Sequence, residues 1–229
     1  VLDDRFLSSP SLALERAHDA VVQMSEFARD NYRLAVELIW KFDAKKLERL
    51  NETEVALDKL EGLLDNYLVK LTDRALTAEE STRVSELLHT LSDFERIGDY
   101  AVNVSESAVV LHDRNITFSS QARAELERLT AAVGETLDKT VACYQSRQRT
   151  LAVQVEPLEE VVDLIAATLK NRHVERLKAG ECTIELGTQF LELLINLERM
   201  SDHCSNVALH ILRQTSSPDD KVRIDSHAY

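Results

Sequence analysis

Two acid-bearing segments in this chain share one spacing: Glu95-Arg96-x-x-Asp99-x-x-x-Asn103 and Glu198-Arg199-x-x-Asp202-x-x-x-Asn206. Glu and Asp four residues apart lie on one helical face about 6 Å apart along the axis, close enough to act on one ligand. On a helical wheel with Leu87 at 0°, Leu91 and Phe94 fall at about 40° and −20°, Glu95 at about 80° and Asp99 at about 120°. Both acids are therefore expected within or at the edge of the apolar stripe. Glu198 repeats the placement beside Leu191, Leu194 and Leu209. A carboxylate in apolar surroundings costs several kcal/mol unless it is paired or ligated, so each position calls for a partner.

A second set of acids matches the first. Glu54, Asp58, Glu61 and Asp65 run beside Leu57, Leu60, Leu64 and Leu68. Glu159 and Asp163 repeat the Glu-x-x-x-Asp spacing, with Ala166 and Lys170 where the first copy has Glu61 and Asp65. Like charges at this spacing repel unless something neutralises them. If the two acid-bearing helices of each half are neighbours, two such pairs face one groove. Converging carboxylate oxygens suit Mg²⁺, Mn²⁺, Ca²⁺ or iron better than zinc. Asn103 and Asn206, one turn on, are expected to ligate through their carbonyls or to orient a carboxylate from behind. The competing expectation is that the acids form interhelical salt bridges with Lys or Arg.

Other candidates carry less. Glu15-x-x-His18 and Glu86-x-x-His89 have the spacing of ferritin-like di-iron ligands. Glu86 and His89 fall at about −100° and 200° on the wheel, opposite the stripe, which argues against an oxygen-activating di-metal enzyme. Arg96 and Arg199 point away from the stripe, and a surface salt bridge is expected of each ahead of a contact with a partner. His173 and His203 read as packed or exposed histidines. No nucleophile elbow, Gly-rich phosphate loop or triad order is present, so no catalytic activity is expected.

The elements that must hold these residues read as helices. Five glycines, three prolines and 5% aromatics are too few for a turn-rich sheet protein, while 44% hydrophobic residues suffice for a core. Ser9-Pro10 opens a helix to about Phe42, and a second covers roughly 47–71. A capping box at Thr77 and Glu80 opens a third, to about His112. After a polar connection at 115–120, three more span about 120–148, 157–178 and, past a turn at Gly180, 183–214. Shifted by 103 positions, Leu88, Leu91, Glu95, Arg96, Asp99, Asn103 and Val104 meet Leu191, Leu194, Glu198, Arg199, Asp202, Asn206 and Val207 without a change. The chain is thus a duplication of a three-helix unit, divided as 1–114, 115–215 and a tail at 216–229. Each unit has a narrow apolar face, so the halves are expected to share one all-α bundle.

The 40 acidic against 27 basic residues, a net charge of −13, disfavour nucleic acid and anionic lipid and favour cations or basic protein surfaces. Cys143, Cys182 and Cys204 are odd in number and lack C-x-x-C spacing, so reduced core thiols are expected. No apolar run is long enough to span a membrane. The start at Val1, without methionine, suggests a piece of a longer polypeptide.

The doubled motif, in LLHTLSDFERIGDYAVNVSESA and LELLINLERMSDHCSNVA, with a Glu-x-x-x-Asp on each preceding second helix, resembles the PhoU family over roughly Leu12 to Arg213. The resemblance implies a six-helix bundle of two tandem three-helix repeats with pseudo-twofold symmetry, carboxylate-bound metal ions, and a role in phosphate uptake and its regulation. By motif position Glu95, Asp99, Glu198 and Asp202 carry over as metal ligands, followed by Glu54, Asp58, Glu159 and Asp163. The stretch LTAEESTRVSELLHTLSDFERIGD, the opening VLDDRFLSSPSLALE and the ending DSHAY are more similar to the cytoplasmic C-terminal domain of bacterial Na⁺/phosphate cotransporters. That implies a regulatory domain on the cytoplasmic face of an integral membrane protein, partnered by the membrane transporter domain of the same polypeptide, with a homo-oligomer also open. The alternative is a stand-alone PhoU-type regulator.

Overall fold

The computed structural model describes residues 2–214; the tail expected at 216–229 lies outside them. After a 3-10 turn at Asp4–Ser8 come six long helices, α1 (Pro10–Trp40), α2 (Ala44–Thr72), α3 (Ala78–Asp113), α4 (Ser120–Ser146), α6 (Val155–Lys178) and α7 (Ile184–Gln214), with a four-residue α5 (Arg149–Ala152) between α4 and α6. There is no strand among the described residues.

Local chemistry sets the ends. Pro10 opens α1 at a position where its missing N–H costs nothing. Asp43 caps α2 by accepting from the Lys45 N–H, so the helix begins at Ala44, three residues ahead of the start expected at Leu47. The Thr77 and Glu80 side chains reciprocally satisfy backbone N–H groups at the start of α3. Ser119 caps α4, which stops where Arg147 turns left-handed at φ 53°. The stop lies within two residues of the end expected at 148, although Arg147 is not glycine; the four-residue α5 beyond it was not expected. Gly180, at φ 70°, closes α6.

Helices α1, α2 and α3 pack on one another, as do α4, α6 and α7; the halves meet through α3 against α7 and α1 against α4. The outer helices α2 and α6 touch only long helices of their own half. Buried Ala13, Ala17, Ala28 and Ala35 give α1 a smooth face against α3, the most extensive contact of the bundle. The duplicated register is reproduced in the core: Leu87, Leu91, Phe94, Ile97, Ala101, Val104 and Ala108 are buried on α3, and so are Phe190, Leu194, Leu197, Met200, Cys204, Val207 and Ile211 on α7. Cys143 and Cys204 are core thiols, whereas Cys182 is only half-buried.

The α3/α7 contact carries a polar layer that the sequence pattern did not single out. Asp93, 7% exposed, accepts from Asn206 Nδ2 at 3.2 Å and pairs with His203 Nδ1 at 2.9 Å; its other oxygen lies 3.6 Å from His210 Nε2. Burial pushes the Asp93 carboxyl up, but hydrogen bonds from His203, His210 and Asn206 outweigh it and hold the group below its usual value. At the repeat-equivalent position on α7 stands Asn196, also buried, which accepts from Asn103 Nδ2 at 3.1 Å. Tyr100 and His203, themselves repeat equivalents, meet with ring centroids 5.7 Å apart and planes tilted by 31°.

Asp93→Ala strands His203 and Asn206 and is expected to cost about 3 kcal/mol in chemical unfolding. Asp93→Asn should cost distinctly less, because Asn196 already serves in that role opposite Asn103. Equal losses for the two variants would contradict this account of the interface.

Candidate metal centre

In each half the acids face a groove between the outer helix and the motif helix. On α3 the fully buried face centres on Phe94, Ile97, Gly98 and Ala101, rotated from the stripe the wheel suggested. Glu95 and Asp99 therefore flank the core, with side chains 20% and 37% exposed. On α7 Glu198 is half-buried and Asp202 exposed.

Gly98 lets α2 approach α3: a Cβ there would lie 2.9 Å from Leu57 Cδ1 and 3.5 Å from Glu54 Oε2. That approach brings Glu54 to the acids of α3, and buried Asn31 of α1 donates to Glu54 Oε2 at 3.3 Å. Burial, together with Asp58, Asp99 and Glu95, pushes the Glu54 carboxyl up to about 7, with Asn31 opposing. Burial and the adjacent Asp99 do the same to Glu95, to about 7. Glu61 is also raised, first by burial and then by Asp58, Asp65 and Asp99. Asp58 and Asp65 are exposed. Arg96, expected to point away, folds back along the helix, with Nε 3.6 Å from Glu95 and Nη1 3.3 Å from Asp99. At 54% exposure it screens these acids only partly.

The second groove is more convergent. Glu159, Asp163 and Asp202 each offer an oxygen, and the three lie within 4.8 Å of one another. Asp163 Oδ1 is buried and has no hydrogen-bond partner. Burial, then Asp163 and Asp202, push Glu159 up to about 7. Asp163 and Asp202 are raised as well, by burial first and neighbouring carboxylates second. Glu198 is drawn instead into an ion pair with Lys170, while Arg199 lies over the Tyr100 ring, 5.9 Å from its centroid. An all-carboxylate donor set with an orphaned buried oxygen fits a hard cation.

Of the expected residues, then, Glu159, Asp163 and Asp202 come together as one set. Glu54, Glu95 and Asp99 influence one another across the first groove, with Asp58 at its rim. The side-chain amides of Asn103 and Asn206 donate across the α3/α7 interface rather than to the acids, because one turn beyond Asp99 and Asp202 the helix face has rotated toward the other half. Asp93 escaped notice; its signal was a polar residue, Asp or Asn, at the same place in both repeats. Glu15 is held by Arg83 and Arg147, and His89 stacks on His210. Neither ferritin-like pair forms a ligand set. His173 is buried against Phe190.

Residues 21–108 and 126–211 match the PhoU domain family. The chain is 24% identical over 199 residues to a phosphate-specific transport system accessory protein PhoU homolog of Xylella fastidiosa (strain 9a5c), covering 87% of this chain and 83% of that one. It is 21% identical over 179 residues to a PhoU homolog 1 of Thermotoga maritima, covering 78% and 76%. The fold superposes on the crystal structure of PhoU from Pseudomonas aeruginosa with a TM-score of 0.81 at 20% identity, covering 87% and 95%. The phosphate transport system regulatory protein PhoU from Streptococcus pneumoniae gives 0.79 at 16%, covering 91% and 98%.

The raised carboxyls fix a pH dependence. Glu54, Glu95 and Glu159 keep protons in the fold between 4.5 and about 7, where the unfolded chain has already released them. Their contribution is therefore fully present below 4.5 and is lost as the pH rises through about 7. Burial holds His18 and His173 below their usual value, which works the opposite way in the same window. In chelator-treated protein, the Tm advantage of the Glu54→Gln/Glu95→Gln/Glu159→Gln variant over wild type should widen from about pH 5 to about pH 8. A constant difference would contradict the assignment.

Proposed function

The chain belongs to the PhoU domain family, and from that premise we propose that it is a regulatory accessory protein of phosphate uptake, without catalytic activity, whose paired carboxylate grooves bind divalent cations or iron. The names of its relatives favour a stand-alone PhoU-type regulator over a domain of a sodium-coupled cotransporter: the protein from Xylella fastidiosa is called an accessory protein of a phosphate-specific transport system, and that from Streptococcus pneumoniae a regulatory protein of one. No described helix is long and apolar enough to cross a membrane. Its partner is then a membrane transporter carried by another polypeptide, or further copies of itself.

The observation that carries the metal reading is the convergence of Glu159, Asp163 and Asp202, together with an Asp163 oxygen that is buried without a hydrogen-bond partner. Glu159 and Asp163 are half-buried and Asp202 is exposed, so solvent screens their mutual repulsion only in part and a cation gains from all three at once. Glu54, Glu95 and Asp99 offer a second such surface, where Arg96 covers the outer edge. Both grooves lie between an outer helix and a motif helix. Their loading thus stiffens the seams between α2 and α3 and between α6 and α7, and a change there is one the transporter can read.

Protein purified without chelator or affinity metal is expected to hold stoichiometric metal by elemental analysis. Asp163→Asn with Asp202→Asn should remove the share of the second groove, and Glu95→Gln with Asp99→Asn that of the first. A metal-free wild type that also fails to take up Mn²⁺ would contradict the metal reading. The regulatory reading predicts that cells lacking the protein no longer reduce uptake of labelled phosphate when phosphate is plentiful; unchanged regulation would contradict it.

A further inference from the structure

The two grooves share a register but not a charge. Along the α2/α3 groove Glu54, Asp58, Glu61, Glu95 and Asp99 act on one another, with Asp65 beside Glu61 at the exposed rim and Arg96 at the edge. Between α6 and α7 stand four, Glu159, Asp163, Glu198 and Asp202, because Ala166 and Lys170 replace Glu61 and Asp65. Ala166 is fully buried and fills the space with a methyl group. Lys170 does more than remove an acid. Its ammonium pairs with Glu198, and its charge also reaches Asp163, lowering a carboxyl that burial and Glu198 raise. The two side chains are 36% and 27% exposed, so the pair is lodged at the groove rather than swinging in solvent.

An ammonium is a compact monovalent cation with three donors, and one carboxylate oxygen pair accommodates it well. Where it sits on Glu198, that carboxylate is withdrawn from any ion bound by Glu159, Asp163 and Asp202. The first groove has no lysine at the equivalent place; the residue there is Asp65. Its own cation, Arg96, is a neighbour of Glu95 on the same helix and half in solvent, a much weaker restraint.

We propose that Lys170 is a built-in counter-cation of the second groove: it occupies the Glu198 arm, restricts that groove to one metal ion at Glu159, Asp163 and Asp202, and weakens it, leaving the two halves with unequal metal capacity. This rests on the metal reading above and adds what sets the loading of each half. A fold built by duplication thereby acquires a cation-rich half and a cation-poor half. A metal ion that takes Glu198 must displace the lysine, so the second groove responds to metal concentration in a range where the first is already filled.

The test uses the full chain with the first groove disabled by Glu54→Gln and Glu95→Gln, titrated with Mn²⁺ and read by native mass spectrometry for ion count and by electron paramagnetic resonance for free Mn²⁺. With Lys170 in place, one Mn²⁺ is expected. Lys170→Gln should tighten that ion by roughly tenfold or more, the consequence of removing one nearby positive charge. Lys170→Asp, which restores the counterpart of Asp65, should admit a second ion. Lys170→Arg keeps the charge and should leave count and affinity near those of the parent, with circular dichroism confirming that all variants remain helical. Unchanged Mn²⁺ count and affinity in both Lys170→Gln and Lys170→Asp would overturn the proposal while leaving metal binding intact. Absence of Mn²⁺ from every variant and from the unmutated protein would overturn it together with the reading on which it rests.

Discussion

Carboxylates held within a few ångströms of one another and half out of water repel, and the rest of this structure is arranged around that repulsion. What brings them together is apolar packing. Leu57, Leu64 and Leu68 of α2 are fully buried, as are Phe94 and Ile97 of α3, and burying each such side chain contributes about 1.5–3 kcal/mol. Several of these outweigh the mutual repulsion of acids that remain partly solvated. The acids are carried into proximity on the flanks of the buried face, where they respond by retaining protons, as Glu54, Glu95 and Glu159 do up to about 7. A cation that replaces those protons relieves the same strain at neutral pH.

The duplication gives each half this device and then joins the halves through a different chemistry. At the α3/α7 contact every motif asparagine reaches across to a buried partner, Asn103 to Asn196 and Asn206 to Asp93. Here one oxygen of the buried Asp93 is held by His203 and Asn206, and the other, without a hydrogen-bond partner, has His210 3.6 Å away. One helix, α3, thus carries an open acidic edge toward α2 and a hydrogen-bonded polar edge toward α7. The equivalent edges of α7 face α6 and α3. Anything that alters the spacing of α2 or α6 is felt on a helix that also forms the seam between halves.

Much of this was legible in the sequence because helical periodicity and identity between repeats are strong signals. The six long helices, the shared bundle and the acid-bearing faces follow from Leu and Ala spacing and from the match of Leu88 through Val104 to Leu191 through Val207. Finer placement did not follow. A stripe drawn from Leu87 and Leu91 ignores Gly98 and Ala101, small residues that mark the true point of closest approach, and so it put Glu95 and Asp99 too far inside. Spacing alone places Asn103 and Asn206 beside the motif acids, because it does not show which neighbour a helix edge will meet. Arg96 forms the surface salt bridge expected of it, but onto the motif's own Glu95 and Asp99, which a wheel that treats a side chain as a radial spoke does not show. Lys170 was visible only as a departure from the repeat; its pairing with Glu198 required the fold.

The central claim is that the converging carboxylates exist to hold cations. Crystals grown with Mn²⁺ and measured for anomalous scattering test it most directly. The account predicts an anomalous peak in contact with Glu159, Asp163 and Asp202, at about 2.1–2.4 Å from their oxygens, and further density between Glu54, Glu95 and Asp99. A map without peaks at either groove, in a protein whose acids are instead closed off by lysine and arginine, would contradict it.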